Sequence, residues 1–171
     1  NGYKFYPTLI YCVTKVLNRI DNFRMFKDKN GDLCVWDHLV PNYTIFHEED
    51  HTFSDCWTDF TDDFDSFYKN ITYDMKVGKT KRGIKVKSGQ PANFYCVSCT
   101  PWTAFTAVSS RMVNGGAAFF PIITAGKYDD NYQMPVNITI AHAVADGYHI
   151  GLFFEYLQKE ISKEYLNSNL E

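Results

Sequence analysis

The chain has 171 residues, 45% of them hydrophobic and 17% aromatic, and a formal net charge of −3, which is enough apolar surface for one compact core without metal or disulfide staples. The charge argues against a general nucleic-acid binder, and no apolar run approaches the roughly 18 residues of a membrane span. Five cysteines, Cys12, Cys34, Cys56, Cys96 and Cys99, are scattered through apolar segments and no signal peptide precedes the first element, a usage expected of reduced thiols in a cytoplasmic protein.

Pro7 suits the first turn of a helix, and Leu9, Ile10, Val13, Val16, Leu17 and Ile20 follow at helical spacing, predicting an amphipathic helix that faces a core. Short runs at 33–36, 43–46 and 52–57, separated by Asn30-Gly31, Pro41-Asn42 and Glu48-Glu49-Asp50, predict the strands of a meander. A helix is expected over about 60–73, a polar surface loop over 78–90, and strands near 93–99, 104–112 and 117–125. In the next strand Met134, Val136, Ile138, Ile140 and His142 share one parity, and Asn137, Thr139 and Ala141 the other, the period-2 mark of one buried face. A closing helix from about Tyr148 carries Ile150, Phe153, Leu157 and Ile161 on one side. Strands in succession, flanked by helices and without an internal repeat, predict an α+β fold with a mixed sheet.

The junction between that last strand and helix reads Ala141-His142-Ala143-Val144-Ala145-Asp146-Gly147-Tyr148. Burial at the end of an apolar row would disfavour the imidazolium, leaving His142 neutral and able to accept a proton, as a general base must. A hydrogen-bonded core histidine fits the same pattern. Asp146, just before Gly147, reads as a helix cap or as one half of a buried ion pair.

Other motifs carry less. His47-Glu48-Glu49-Asp50-His51 spells the H-E-x-x-H zinc motif, but it lies in a charged turn between two strand-like runs, where the chemistry needs both histidines on one helix face. Cys96 and Cys99 form a C-x-x-C whose thiols point to opposite faces of a strand, so two core thiols are expected. The basic segment 76–87 lacks interleaved aromatic residues and reads as a solvated loop. No Walker or Rossmann glycine loop occurs.

Four segments, Tyr3-Lys-Phe-Tyr-Pro7, Ser98-Cys99-Thr100-Pro101-Trp102, Pro121-Ile-Ile-Thr-Ala-Gly-Lys-Tyr128 and His142-Ala-Val-Ala-Asp-Gly-Tyr-His149, resemble chloramphenicol acetyltransferase in order and spacing. The resemblance runs from the first residues to about Tyr165. It implies a two-layer sandwich, a mixed sheet with helices packed on one face. It also implies one acetyltransferase domain over residues 1–171 that lacks the family's N-terminal strand and helix, an expectation in keeping with a chain that starts at Asn1. The implied reaction is acetyl transfer from acetyl-CoA, without a metal, to a hydroxyl of chloramphenicol, an antibiotic-resistance activity. His142 is implied as general base, Ser98 as oxyanion donor, Thr124 as a residue acting through a bound water, and Asp146 as the partner of an arginine. Lys4, Tyr6, Trp102, Lys127 and Tyr128 are implied to line the coenzyme channel, where cations neutralise phosphates and aromatic faces accept adenine or pantetheine; Tyr6 and Trp102 would serve equally as core residues. The implied partners are two further copies in a homotrimer, with each site between subunits, and neither nucleic acid nor a membrane.

Departures from the family pattern bear on the acceptor. Phe53 is retained in the pocket and Val108 takes the place of an aromatic residue, while Asp55 and Ser110 replace apolar residues, which predicts weaker binding of an apolar face. Ala141 stands where a second histidine is usual, and Arg24 is a candidate cation for Asp146. A different small hydroxylated acceptor, or a catalytically degenerate assembly module, are the alternative readings.

Overall fold

The computed structural model describes residues 2–110 and 118–163. Helix α1 (Phe5–Leu17) leads through a 3₁₀ turn (Asp21–Arg24) into a small hairpin of β1 (Met25–Lys27) and β2 (Leu33–Val35). Strands β3 (Val40–His47) and β4 (Thr52–Trp57), helix α2 (Phe64–Lys79), strands β5 (Phe94–Cys99), β6 (Ile122–Ala125) and β7 (Val136–Thr139), and helix α3 (Gly147–Ile161) complete the chain. The main sheet has the order β4-β3-β5-β6-β7. Its β3–β5 and β5–β6 pairs are parallel, and its β3–β4 and β6–β7 pairs antiparallel. This is the expected mixed sheet in an α+β fold.

The core lies between the sheet and its three helices. Leu9, Ile10, Val13, Val16 and Leu17 of α1 are all buried, each worth about 1.5–3 kcal/mol when withdrawn from water. They join Tyr43 and Ile45 of β3, Tyr95 and Val97 of β5, Ile123 and Ala125 of β6, Phe67 and Ile71 of α2, and Phe153 and Leu157 of α3 in one cluster. Strand periodicity therefore turns the other parity outward: Thr44 and Phe46, Cys96 and Ser98, Ile122 and Thr124, Asn137 and Thr139 share the face away from the helices.

Several expected elements are relocated. The 33–36 run pairs with β1 and not with β3, so the meander is a separate hairpin followed by the β3–β4 hairpin. Helix α2 begins at Phe64, where the Asp63 carboxylate accepts from the Ser66 amide at 2.9 Å and so fixes the start. It runs on through Gly78 because a Cβ there would stand 2.4 Å from Ile45 Cδ1; glycine lets the last turn lie against β3. Residues 104–110 form no strand, because β5 and β6 already pair on both edges; residues 111–117 of the two strand expectations lie outside the described residues. Strand β6 is confined to Ile122–Ala125.

Candidate active site

The sheet splits where it matters. Strand β3 is bonded to β5 only through Val40–Tyr43 and Phe94–Val97, yet it continues beside β4 to His47, and β5 continues beside β6 to Cys99. Past Tyr43 and Val97 the two halves therefore part, opening a cleft of about 790 Å³. Thr44, Ile45 and Phe46 form one wall, and Ser98, Cys99, Thr100, Pro101 and Trp102 the other. Phe5, Tyr6, Met75 and Lys79 enter from the helix layer. Tyr6 anchors the point of divergence: its hydroxyl donates to the Val97 carbonyl at 3.1 Å and lies 3.5 Å from Thr44 Oγ1. Burial pushes this phenol well above its usual pKa, so it stays a neutral donor.

Ser98 sits on the cleft wall and pairs across the sheet with Thr124, which pairs in turn with Asn137. A polar row thus crosses the outer face from the large cleft to a second one of about 370 Å³, lined by Val108, Ser109, Asn137, Thr139, His142, Asp146 and Ile150 among others. Ser98 and His142 consequently occupy different clefts of one chain. Asn137, Thr44 and Phe46 were not singled out in the sequence; only the alternation of parity along their strands would have placed them on this face.

His142 departs from expectation. Met134, Val136, Ile138 and Ile140 do pack on the core, but β7 ends at Thr139 and His142 lies in an exposed turn and not in the buried row. Its Nδ1 lies 3.3 Å from the Ala145 carbonyl. With Nδ1–H donated there, Nε2 carries the lone pair and is free to take a proton.

Asp146 is a helix cap. It accepts from the Tyr148 amide at 3.0 Å and the His149 amide at 3.4 Å, and its carboxylate lies 2.8 Å from His149 Nδ1. These contacts, the His149 side chain foremost, hold its carboxyl below the ordinary range. Arg24 does not replace the expected arginine, because its guanidinium is committed to the carbonyls of Trp36 and Asp37 and to Asp21.

Of the residues expected to line a coenzyme channel, Tyr6 and Trp102 line the cleft, the latter 64% exposed and edge-on to Phe46 at 4.8 Å. Lys4, Lys127 and Tyr128 fall outside the cleft lining: Lys4 is the N-cap of α1, and the Lys127 amide donates to Thr103 O at 2.9 Å, which ties the Lys127–Tyr128 loop to the Trp102 loop. Phe53 lines the large cleft and Val108 the smaller one. Asp55 shares the face of Phe53 but falls outside the lining of both, its backbone bonded to Ile84 and Val86; Ser110 lines neither.

The remaining motifs are structural. His47 is buried with Nε2 2.9 Å from Ser54 Oγ, while His51 is exposed and stacks on Phe46, so the two imidazoles of the zinc-like motif do not converge. Among the described residues no group of His, Cys, Asp and Glu is placed to hold a metal, and no helix is long and apolar enough to cross a membrane. Burial pushes the Cys96 and Cys99 thiols up, so Cys99, although on the cleft wall, is protonated at neutral pH and a poor nucleophile.

The family model for chloramphenicol acetyltransferase matches residues 1–158. The chain belongs to the chloramphenicol acetyltransferase family. A chloramphenicol acetyltransferase of Clostridium perfringens is 40% identical over 167 residues, covering 96% of this chain and 76% of that protein. One from Campylobacter coli is 39% identical over 166 residues, covering 95% and 80%. A solved chloramphenicol acetyltransferase superposes with a TM-score of 0.78 at 22% identity, covering 93% of this chain and 78% of that one. A dihydrolipoamide acetyltransferase of Azotobacter vinelandii shares the fold at a TM-score of 0.68 and 14% identity, covering 92% and 68%. Chloramphenicol acetyltransferases use acetyl-CoA as co-substrate, and the split sheet with its aromatic and cationic surroundings is the part of this fold that suits a long, extended coenzyme.

Proposed function

We propose that the chain is a single acetyltransferase domain that moves an acetyl group from acetyl-CoA to a hydroxyl of chloramphenicol by direct transfer, in the cytoplasm, as a homotrimer. The observation that carries the reading is the separation of Ser98 and His142 into two clefts joined by the Ser98–Thr124–Asn137 row. An exposed histidine on one subunit and a serine-lined cleft on the next complete one site at their interface.

In that site Nε2 of His142 takes the proton of the acceptor hydroxyl as its oxygen attacks the thioester carbonyl. The Ser98 hydroxyl donates to the oxyanion that forms, and Thr124, its neighbour in register, holds a water against the same intermediate. Collapse breaks the carbon–sulfur bond, and the imidazolium returns its proton to the departing thiolate, giving the acetyl ester and free coenzyme A. Asp146 fixes the loop by capping α3 and does not touch the reacting atoms. Tyr6 and Trp102 hold the pantetheine arm, Lys4 and Lys127 the phosphates, and Phe53 and Val108 the acceptor. Asp55 and Ser110 act on the acceptor from outside the clefts or through the neighbouring subunit.

Mixing His142→Ala and Ser98→Ala chains tests this. Mixed trimers contain sites with both native residues and recover acetyl transfer, measured as coenzyme A thiol release, while either variant alone does not. Heterotrimers that form and remain inactive would place both residues in one chain's site and overturn the reading. Thiol release with a panel of small alcohols separates chloramphenicol from another acceptor.

A further inference from the structure

The loop that carries His142 is gripped from outside at one point. Two successive peptide units, Val144–Ala145 and Ala145–Asp146, join the histidine turn to the cap of α3, and all four of their polar groups are engaged, as buried backbone requires. In the first unit the Ala145 amide donates to Ala141 O at 3.3 Å, and the Val144 carbonyl accepts from Asn22 Nδ2 at 2.6 Å. In the second, the Ala145 carbonyl faces His142 Nδ1 and the Asp146 amide faces His149 Nδ1, each at 3.3 Å. Three of these partners belong to the 141–149 segment itself. Asn22, 122 residues away in sequence, comes from elsewhere in the fold.

Asn22 stands on a fixed base. It sits in the 3₁₀ turn at Asp21–Arg24, whose Phe23 is fully buried and meets Phe153 of α3 edge-on at 6.0 Å. Arg24 ties the same turn to the carbonyls of Trp36 and Asp37. Val144 and Ala145 are buried as well, so water is a poor substitute for the Asn22 amide on the Val144 carbonyl. A planar peptide unit held at both its N–H and its C=O has little freedom to turn. The next carbonyl, that of Ala145, is therefore aimed by Asn22 on one side and by the α3 cap on the other. It is also the group whose bond to Nδ1 decides which imidazole nitrogen of His142 carries the proton.

We propose that Asn22 is a positioning residue for the general base: by holding the Val144 carbonyl it aims the Ala145 carbonyl at His142 Nδ1 and keeps the lone pair on Nε2. This rests on the reading of His142 as the base. Asn22 lines neither cleft, so its loss lowers kcat and leaves both KM values alone.

The test uses two variants of similar size at this half-buried position: Asn22→Leu removes the donor, and Asn22→Asp turns a second acceptor toward the Val144 carbonyl. Each lowers kcat for acetyl transfer on the order of ten- to a hundredfold, the scale of effect of a reacting group displaced by about 1 Å, with KM for acetyl-CoA and chloramphenicol unchanged. Nitrogen-15 NMR of the imidazoles, with His142 assigned by its absence in His142→Ala, reads the tautomer directly. In wild type the proton is on Nδ1; in both variants the His142 signals move toward the tautomer mixture of a free imidazole. Asn18→Ala is the matched control: it loses a bond of the same kind, Asn18 Nδ2 to Leu39 O at 3.1 Å, at the end of α1 and away from the histidine loop, and it keeps the wild-type kcat and tautomer. Wild-type kcat and tautomer in either Asn22 variant overturn the positioning role alone, as does an Asn18→Ala protein that loses both. A wild-type His142 protonated on Nε2, or full thiol release by His142→Ala, overturns the base itself and the positioning with it.

Discussion

Gly126 offers a stringent check on how the site is held. It is buried at the end of β6, where a Cβ would stand 2.8 Å from Phe105 Cε1, 2.8 Å from Pro135 Cγ and 2.9 Å from the Thr103 carbonyl oxygen. Two of these neighbours are side chains that can yield, but the third is backbone. Recoil of residue 126 itself is opposed by its own amide bond to Pro135 O and by the next amide's bond to Thr103 O, both 2.9 Å. Gly126→Ala is therefore an overpacking substitution costing about 1–3 kcal/mol. For a chain of this size, about 2 kcal/mol lowers the melting temperature by roughly 4–8 °C, measured at fixed protein concentration so that subunit association does not intrude. Because the 103 carbonyl must move, Trp102 moves with it, and KM for acetyl-CoA rises while KM for chloramphenicol changes less. Adding Phe105→Leu relieves one side-chain clash and recovers part of the stability, leaving the residue due to Thr103. An unchanged melting temperature and an unchanged KM in Gly126→Ala would refute the packing argument.

His142→Ala abolishes thiol release by several orders of magnitude while its thermal unfolding stays close to wild type, since an exposed side chain contributes about 0.5 kcal/mol or less to the fold; equal losses of stability and activity would count against a chemical role. Ser98→Ala lowers kcat by about 10²–10³-fold, the usual effect of removing one oxyanion donor, and a change confined to KM would argue that Ser98 only positions substrate. The Asp146 cap predicts an acid limb in stability: with a folded-state pKa below its unfolded value, the contribution is present above the ordinary carboxylate range and lost as pH falls through the lowered folded value. Asp146→Asn flattens that limb in urea titrations at several pH values; an unchanged limb would place the carboxylate's stabilisation elsewhere.

What the sequence conveyed depended on how local each cause was. Helix α1 and strand β5 were legible because a helical or alternating apolar pattern is written in consecutive residues, and both emerge as core elements. The β1–β2 hairpin escaped because β1 is only three residues long, and its partner run reads equally well as a strand of the main sheet. The end of α2 was read six residues early, since Gly78 signals a loop in isolation and shows its purpose only against Ile45. At the site, Ser98, Tyr6 and Trp102 were named by resemblance and do share a cleft. The exposure of His142 was not legible, because it follows from where β7 stops and not from its parity. The cleft itself was invisible in the sequence: it arises from a parallel pairing that ends early, which no run of neighbouring residues encodes.

The split sheet also bears on the order in which the molecule forms. The β3–β4 hairpin and the β6–β7 pair each close over a short stretch of chain, whereas the β3–β5 junction joins two halves separated by the whole of β4, α2 and the basic loop. Contacts of such long sequence separation carry a large loop-closure cost and slow folding. Two partial sheets can therefore exist before they are joined, but neither alone contains a cleft. The wall at Ser98 and its facing wall at Thr44 meet only when the parallel pairs have formed as far as Tyr43 and Val97, so recovery of activity on refolding is expected to follow this long-range junction and not precede it.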